Sequence, residues 1–277
     1  VAEGTEIARV SLPGKPAAVA VDPRGGRVYA VSVEPGALWL VSAEGEILAE
    51  FTLPGWSPLG LALDPVSGRA YVSDWAERRV VEVSPDLKEK LREFPTGGAP
   101  SGLAVSADGR RLVVAERDEN SLLVIDLASG ESFSVRVGEH PFGVTLRGGL
   151  AFTADVLSNT VSVADLEKRE KIAEIPTGER PYAVAFAKGR GFVTNQYSES
   201  LTVFDAESLA AIGEIAVGEY PEGIAATADE SRLWVANWFS DHVSLIDPEK
   251  LETVGEIPAP AGPRAFGAFI GPREAAP

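Results

Sequence analysis

The stretch GFVTNQYSESLTVFDAESL, residues 191–209, holds two short alternating apolar runs joined by a polar hinge and closed by Asp205. Runs of this length, rich in Phe, Val and Thr and bounded by turn residues, read as two paired β-strands. The unit is not unique. Its leading aromatic aligns with Tyr29, Tyr71, Val113, Phe152, Phe192 and Trp234, 39–42 residues apart. The residue closing the second run falls at Ser42, Ser84, Asp126, Asp165, Asp205 and Asp247 with the same spacings. A proline two positions before a small residue recurs at Pro16, Pro58, Pro100, Pro141, Pro181, Pro221 and Pro263. Three markers in one register make the chain a repeat.

Each repeat carries four runs, in the fifth AVAFA, GFVTN, SLTVFD and AIGEIAV, set apart by turn sequences of the kind DPRGG, SADG and AKGR. Four such runs form an antiparallel meander, and a period near 40 with four strands per unit is that of a β-propeller blade. Helical solenoids share the period but need longer runs with a 3.6-residue periodicity. The only helix-like pattern is the short PDLKEKL at 85–91.

Composition narrows the function. Charged residues make up 24% of the 277 and apolar residues 45%, ordinary for a globular protein, with no linker or low-complexity tract to divide the chain. There is no cysteine, which removes disulfides, thiol catalysis and thiolate metal sites. No run approaches the 18–20 apolar residues of a membrane span, so membrane insertion is not expected. A net charge of −16 repels phosphate backbones and anionic membranes, so nucleic acid is not an expected partner.

The ends extend the repeat. Residues 262–271, GPRAFGAFIG, match the innermost strand a of a further unit, and residues 1–14, VAEGTEIARVSLPG, match a c–d turn and the outermost strand d, as in LASGESFSVRVG at 127–138. The expected architecture is therefore one domain, 1–277: strand d of a split blade over 1–14, six full blades over 15–260 and strand a of the split blade over 261–277. That gives seven ring positions, the seventh lacking strands b and c, with a six-bladed ring as the alternative. By the repeat's own length, roughly 25 residues upstream would complete the seventh blade.

The motifs FVTN at 192–195, YVSD at 71–74 and WVAN at 234–237, with the recurring G-x-x-P-x-G lead-in, resemble the YVTN-type β-propeller repeat over essentially the whole chain. The resemblance implies a location outside the cytoplasm, periplasmic or at the cell surface. It extends to surface-layer propellers, periplasmic redox-associated propellers and, more distantly, seven-bladed lactonases, and so does not fix function.

In a propeller the d-to-a crossings and the b–c turns share one face, around the mouth of the central channel. The crossings place Trp56, His140, Arg180, Tyr220 and Arg264 there, and the b–c turns place Trp75, Arg78, Arg117, Tyr197, Trp238, Phe239 and His242. Phe142, Tyr182 and Glu222 lie just inside strand a. Aromatics and arginines on one face of an acidic protein fit a protein partner or a small anionic ligand, since these residue types dominate binding hot spots; stacking between blades is the competing role. The fourth motif position is polar throughout: Ser32, Asp74, Glu116, Asp155, Asn195 and Asn237. Asp74, Glu116 and Asp155 could offer oxygens to Ca²⁺ or another divalent cation, although polar residues at strand ends ordinarily bond their own turns. His140 and His242 could each bind an open metal or a haem iron but form no closed site. The recurring Asp126, Asp165, Asp205 and Asp247 read as turn formers.

No nucleophile elbow, H-E-x-x-H, P-loop or dinucleotide fingerprint is present. The reading is a non-catalytic binding or assembly module with no resident cofactor, presenting its loop face to a partner protein or small anion. The alternative is a lactonase-like hydrolase, with Glu222 and Arg264 as members of its site, or a haem- or quinone-associated accessory with chemistry at the channel mouth.

Overall fold

The computed structural model describes residues 8–260 and 262–271. Among these residues, twenty-four strands form six four-stranded antiparallel sheets, each in plain sequence order. Blade 1 comprises β1 (Pro16–Val21), β2 (Arg27–Ser32), β3 (Ala37–Ser42) and β4 (Ile47–Phe51). Blade 2 comprises β5 (Pro58–Leu63), β6 (Ala70–Asp74), β7 (Arg79–Val83) and β8 (Lys90–Pro95), and blade 3 β9 (Pro100–Val105), β10 (Arg111–Glu116), β11 (Ser121–Asp126) and β12 (Ser132–Arg136). Blade 4 follows with β13 (Pro141–Arg147), β14 (Leu150–Asp155), β15 (Thr160–Asp165) and β16 (Glu170–Pro176). Blade 5 is β17 (Pro181–Ala187), β18 (Arg190–Asn195), β19 (Ser200–Asp205) and β20 (Ala211–Ala216). Blade 6 is β21 (Pro221–Ala226), β22 (Leu233–Asn237), β23 (His242–Asp247) and β24 (Glu252–Pro258). Among the described residues no helix is long and apolar enough to cross a membrane.

The sequence pattern follows from position in the disc. Middle strands are covered on both faces by neighbouring blades, so β14 and β18 are almost wholly buried, whereas the outermost β24 alternates exposed and half-buried. Between blades 1 and 2, Tyr29, Val31, Leu38 and Leu40 meet Ala70, Val72, Val81 and Val83. The Tyr29 hydroxyl, inside that interface, donates to the Pro85 carbonyl at 2.7 Å. The strand-c aspartates cap their turns: Asp126 Oδ1 accepts from the amides of Ala128 and Ser129 at 3.0 and 2.8 Å, and Asp165, Asp205 and Asp247 repeat the arrangement.

The glycine of the lead-in answers to a close approach. A Cβ on Gly60 or Gly102 would collide with the carbonyl of Ser101 or Phe142 in the next blade, and one on Gly143 would stand 2.5 Å from the Tyr182 carbonyl. Gly223 of blade 6 is crowded in the same way by the Ala265 carbonyl. Ala265 thus stands against the inner strand of blade 6 as the next blade's inner strand stands against those of blades 2 to 4.

Among the described residues six blades are complete, as expected, and the ring matches the six-bladed alternative and not the seven-position one. The strand a expected over 261–277 is, within 262–271, an extended stretch whose single bridge is parallel, Phe266 to Ala18. Val19 and Val21 donate their amides to the carbonyls of Phe266 and Ala268, both at 2.9 Å. The strand d expected over 1–14 lies partly outside the described residues; from residue 8 onward it forms no regular strand, and Val10 and Leu12 pack on the Trp39 cluster of blade 1. Among the described residues neither stretch has a paired b or c strand beside it, so neither is built into a four-stranded ladder.

Candidate functional site at the channel mouth

The b–c turns and d-to-a crossings do gather on one face. Across blades 5 and 6, Tyr197 lies 5.3 Å from Tyr220, Tyr220 lies 4.4 Å from Phe239, and Phe239 lies 4.7 Å from Trp238, centroid to centroid. Cations close both ends of this arc: Arg180 stands 5.4 Å over Tyr197, and Arg264 stands 4.1 Å over Trp238. Aromatic contacts and cation–π pairs hold such rings in place, each contributing about 0.5–1.5 kcal/mol. Tyr197 and Phe239 remain 53% exposed. The crossing residues His140, Arg180 and Tyr220 adopt left-handed backbone angles, φ 53°, 56° and 52°, immediately before their prolines.

Inside the arc, Glu222 is 1% exposed and takes a bidentate pair from Arg264, Nε at 2.7 Å and Nη2 at 2.9 Å. Gln196 Nε2 donates to the same carboxylate at 2.9 Å. Burial raises the Glu222 pKa, and the Arg264 guanidinium opposes that rise. With both oxygens engaged, this carboxylate holds Arg264 over Trp238. Deeper still, Tyr182 stacks on Phe142 at 4.1 Å, and Phe266 meets both rings edge-on at 5.0 and 5.9 Å. Burial and the nearby Glu222 raise the Tyr182 phenol pKa, so it stays protonated.

A second cluster forms on blades 2 to 4. Arg117 lies 4.9 Å over Trp75 and donates through Nε to His140 Nδ1 at 3.3 Å. The remaining predicted residues do not join either group. Trp56 is buried edge-on to Phe51 at 5.6 Å, a core side chain and not a surface one. Arg78 is an exposed turn residue. His242 turns back into its own blade, against the Ser240 carbonyl at 3.0 Å and Ser244 Oγ at 3.3 Å.

Asp74, Glu116 and Asp155 are not brought together. Asp74 accepts from the Ser57 amide at 3.1 Å and Arg79 Nε at 2.9 Å. Glu116 accepts from the Gly97 amide at 2.7 Å and Ser121 Oγ at 2.8 Å. Asp155 accepts from Ser162 Oγ at 2.7 Å and Thr160 Oγ1 at 3.2 Å. Each side chain is tied within its own blade, and among the described residues no three acidic or imidazole groups are arranged to hold a metal. Burial pushes the Asp155 pKa up to about 6, against its two hydroxyl donors.

Sequence reasoning centred on the mouth missed Gln196, Phe266 and a cavity of about 660 Å³ at the opposite end of the channel. Phe266 forms part of its wall together with Leu61, Leu63, Val105, Val144 and Ile224. The phenylalanine stands three residues after Pro263, not one as Phe142 stands after Pro141, so the repeat register hid its approach to the axis.

Six blades around an axis, with a loop-built mouth, define a β-propeller. No family model matches the sequence, and no curated protein matches it. Solved structures do. Hydrazine synthase of Kuenenia stuttgartiensis superposes with a TM-score of 0.81 at 18% identity, over 93% of this chain and 90% of that one. A functionally unknown protein from Desulfotomaculum acetoxidans gives 0.79 at 15%, over 95% and 91%. Dihydro-heme d1 dehydrogenase NirN, in complex with DHE, gives 0.72 at 19%, over 92% of this chain and 59% of that one. Likeness at these identities establishes the propeller and no narrower family.

Proposed function

We propose that the chain is a non-catalytic binding module that holds a partner protein on its channel-mouth face. The observation that carries this reading is the continuous Tyr197–Tyr220–Phe239–Trp238 arc flanked by Arg180 and Arg264, with two of its rings half in solvent. Aromatic rings prefixed by their neighbours lose little freedom on contact, and arginines beside them supply directional bonds at the rim. Glu222 serves the same surface by anchoring Arg264. The test places a photo-crosslinking residue at position 239 and, as control, at the exposed Val66 in an a–b turn of the other face. Reaction with one polypeptide at 239 and not at 66 supports the reading; equal reaction at both sites, or none, overturns it.

A second reading makes that partner a redox protein and places the complex outside the cytoplasm. Two of the solved neighbours favour it, being named for hydrazine synthesis and for dehydrogenation of dihydro-haem d1. A partner that shows a Soret band identifies this case, and a colourless partner rejects it.

A further inference from the structure

We propose that the cavity at the end of the channel opposite the mouth binds a small apolar carboxylate, its hydrocarbon body in the channel and its carboxylate on Arg147.

The space follows from the sequence of the innermost strands. Their ends read VAV, LAL, LAV, VTL, VAF and IAA, at residues 19–21, 61–63, 103–105, 144–146, 184–186 and 224–226, and every one of these triplets contributes to the wall. The middle residue is alanine in five blades and threonine in one, so each strand brings a short side chain where the six converge. The cavity of about 660 Å³ lies within the roughly 300–1,000 Å³ that small-molecule sites occupy. Phe266, part of the wall, meets edge-on Phe142 and Tyr182, which directly follow Pro141 and Pro181 on the mouth side. These rings separate the cavity from the mouth, so the site is distinct from the partner surface proposed above.

The wall carries one charge. Among its side chains only Thr145 and Arg147 are polar and none is acidic, although the chain has 41 acidic residues. Thr145 Oγ1 already donates to the Val184 carbonyl at 2.6 Å. Arg147 is exposed and forms no ion pair among the described residues. Its guanidinium stands 5.0 Å over the ring of Phe186, another wall residue, which is wedged edge-on against Phe152 and Phe204 at 4.8 and 5.9 Å. A packed ring therefore holds an unpaired cation at the edge of an apolar space.

That combination selects the ligand class. A hydrocarbon body asks no hydrogen bonds of Leu, Val, Ala and Phe walls and gains by leaving water. A carboxylate takes two parallel N–H bonds from a guanidinium, and an arginine already stacked on a ring loses little freedom in making them. An amine of the same shape would meet the only charge in the wall with its own sign, and a neutral analogue would forgo the paired bonds.

The test titrates the 277-residue chain with octanoate and with octanol by calorimetry. Octanoate should saturate one site with a Kd below about 1 mM and bind more tightly than octanol, against the repulsion of a host carrying −16. Arg147→Gln should weaken octanoate at least about fivefold while leaving octanol unchanged, a split that a purely structural arginine would not produce. Ala268→Trp sets an indole in the wall and should weaken both ligands at least about fivefold. Both substitutions fall at exposed positions, where the fold tolerates them. No saturable octanoate binding, binding that Arg147→Gln leaves within about twofold, or binding that Ala268→Trp leaves unchanged would each overturn the proposal.

Discussion

Replacing Asp155 by Asn should stabilise the protein at neutral pH and leave it unchanged in acid. The site is 0% exposed, and Asp155 Oδ1 has no hydrogen-bond partner. Two equivalent positions already carry the amide: Asn195 Nδ2 donates to Thr202 Oγ1 at 2.9 Å and Ser200 Oγ at 3.1 Å, and Asn237 Nδ2 donates to Ser244 Oγ at 2.8 Å. In blade 4 the carboxylate sits against the same pair of hydroxyls, and burial moves its pKa from 3.8 to about 6. Below the lower value both folded and unfolded chains are protonated, and the aspartate costs nothing. As pH rises the unfolded chain ionises first, so stability is lost progressively until the folded-state pKa is passed. The gap corresponds to about 3 kcal/mol, at 1.36 kcal/mol for each tenfold change. Urea unfolding of both proteins between about pH 4 and about pH 8 reads this directly. The stability difference should be near zero at the acid end and grow to about 2–3 kcal/mol in favour of the variant. A difference that does not change with pH would refute the burial argument.

Three further outcomes follow from the same contacts. Arg264→Ala leaves the buried Glu222 carboxylate without its guanidinium and should cost about 2–3 kcal/mol in urea unfolding, discounted for the partial exposure of the arginine, whereas Arg264→Ala combined with Glu222→Gln should recover most of it. Gly60→Ala should destabilise by at least about 2 kcal/mol, because its Cβ would enter the Ser101 carbonyl, while Gly213→Ala, with no atom within 4 Å of its Cβ, should be neutral or mildly stabilising in thermal melts. Backbone amides hold the carboxyls of Asp126, Asp165, Asp205 and Asp247 below their usual pKa range; their stabilisation is present above the unfolded value near 4 and lost as pH falls through the folded values. Replacing all four by Asn should therefore flatten the acid limb of the stability profile, measured by thermal unfolding below about pH 4.

The blades were legible because a β-strand buried on both faces needs an apolar run and its turns need Asp, Gly or Pro, and both requirements recur at a fixed period. The mouth residues Tyr197, Tyr220, Trp238, Phe239, Arg180 and Arg264 were placed on one face by that period alone. Their mutual contacts were not legible, since side chains from neighbouring crossings meet across blades and not along the sequence. Trp56 shows the limit from the other side: it belongs to a crossing, yet it folds under Phe51 into the core, and no residue pattern separates those two fates. The acidic motif residues turn into their own blades, where the amides of Ser57 and Gly97 and a strand-c hydroxyl donate to them. Their roles as blade ties could be anticipated from strand-end chemistry, but their partners, which lie up to nineteen residues away, could not.

Binding of a partner by the aromatic arc is read from the Kd of the polypeptide crosslinked at position 239, measured by calorimetry for the wild-type chain, for Tyr197→Ala combined with Phe239→Ala, and for Leu245→Lys. Both arc residues are half exposed, so the double variant should fold normally while binding at least about tenfold more weakly, and Leu245→Lys, remote from the mouth, should bind as the wild type does. Affinity of the double variant within about twofold of wild type would show that the arc is not the binding surface.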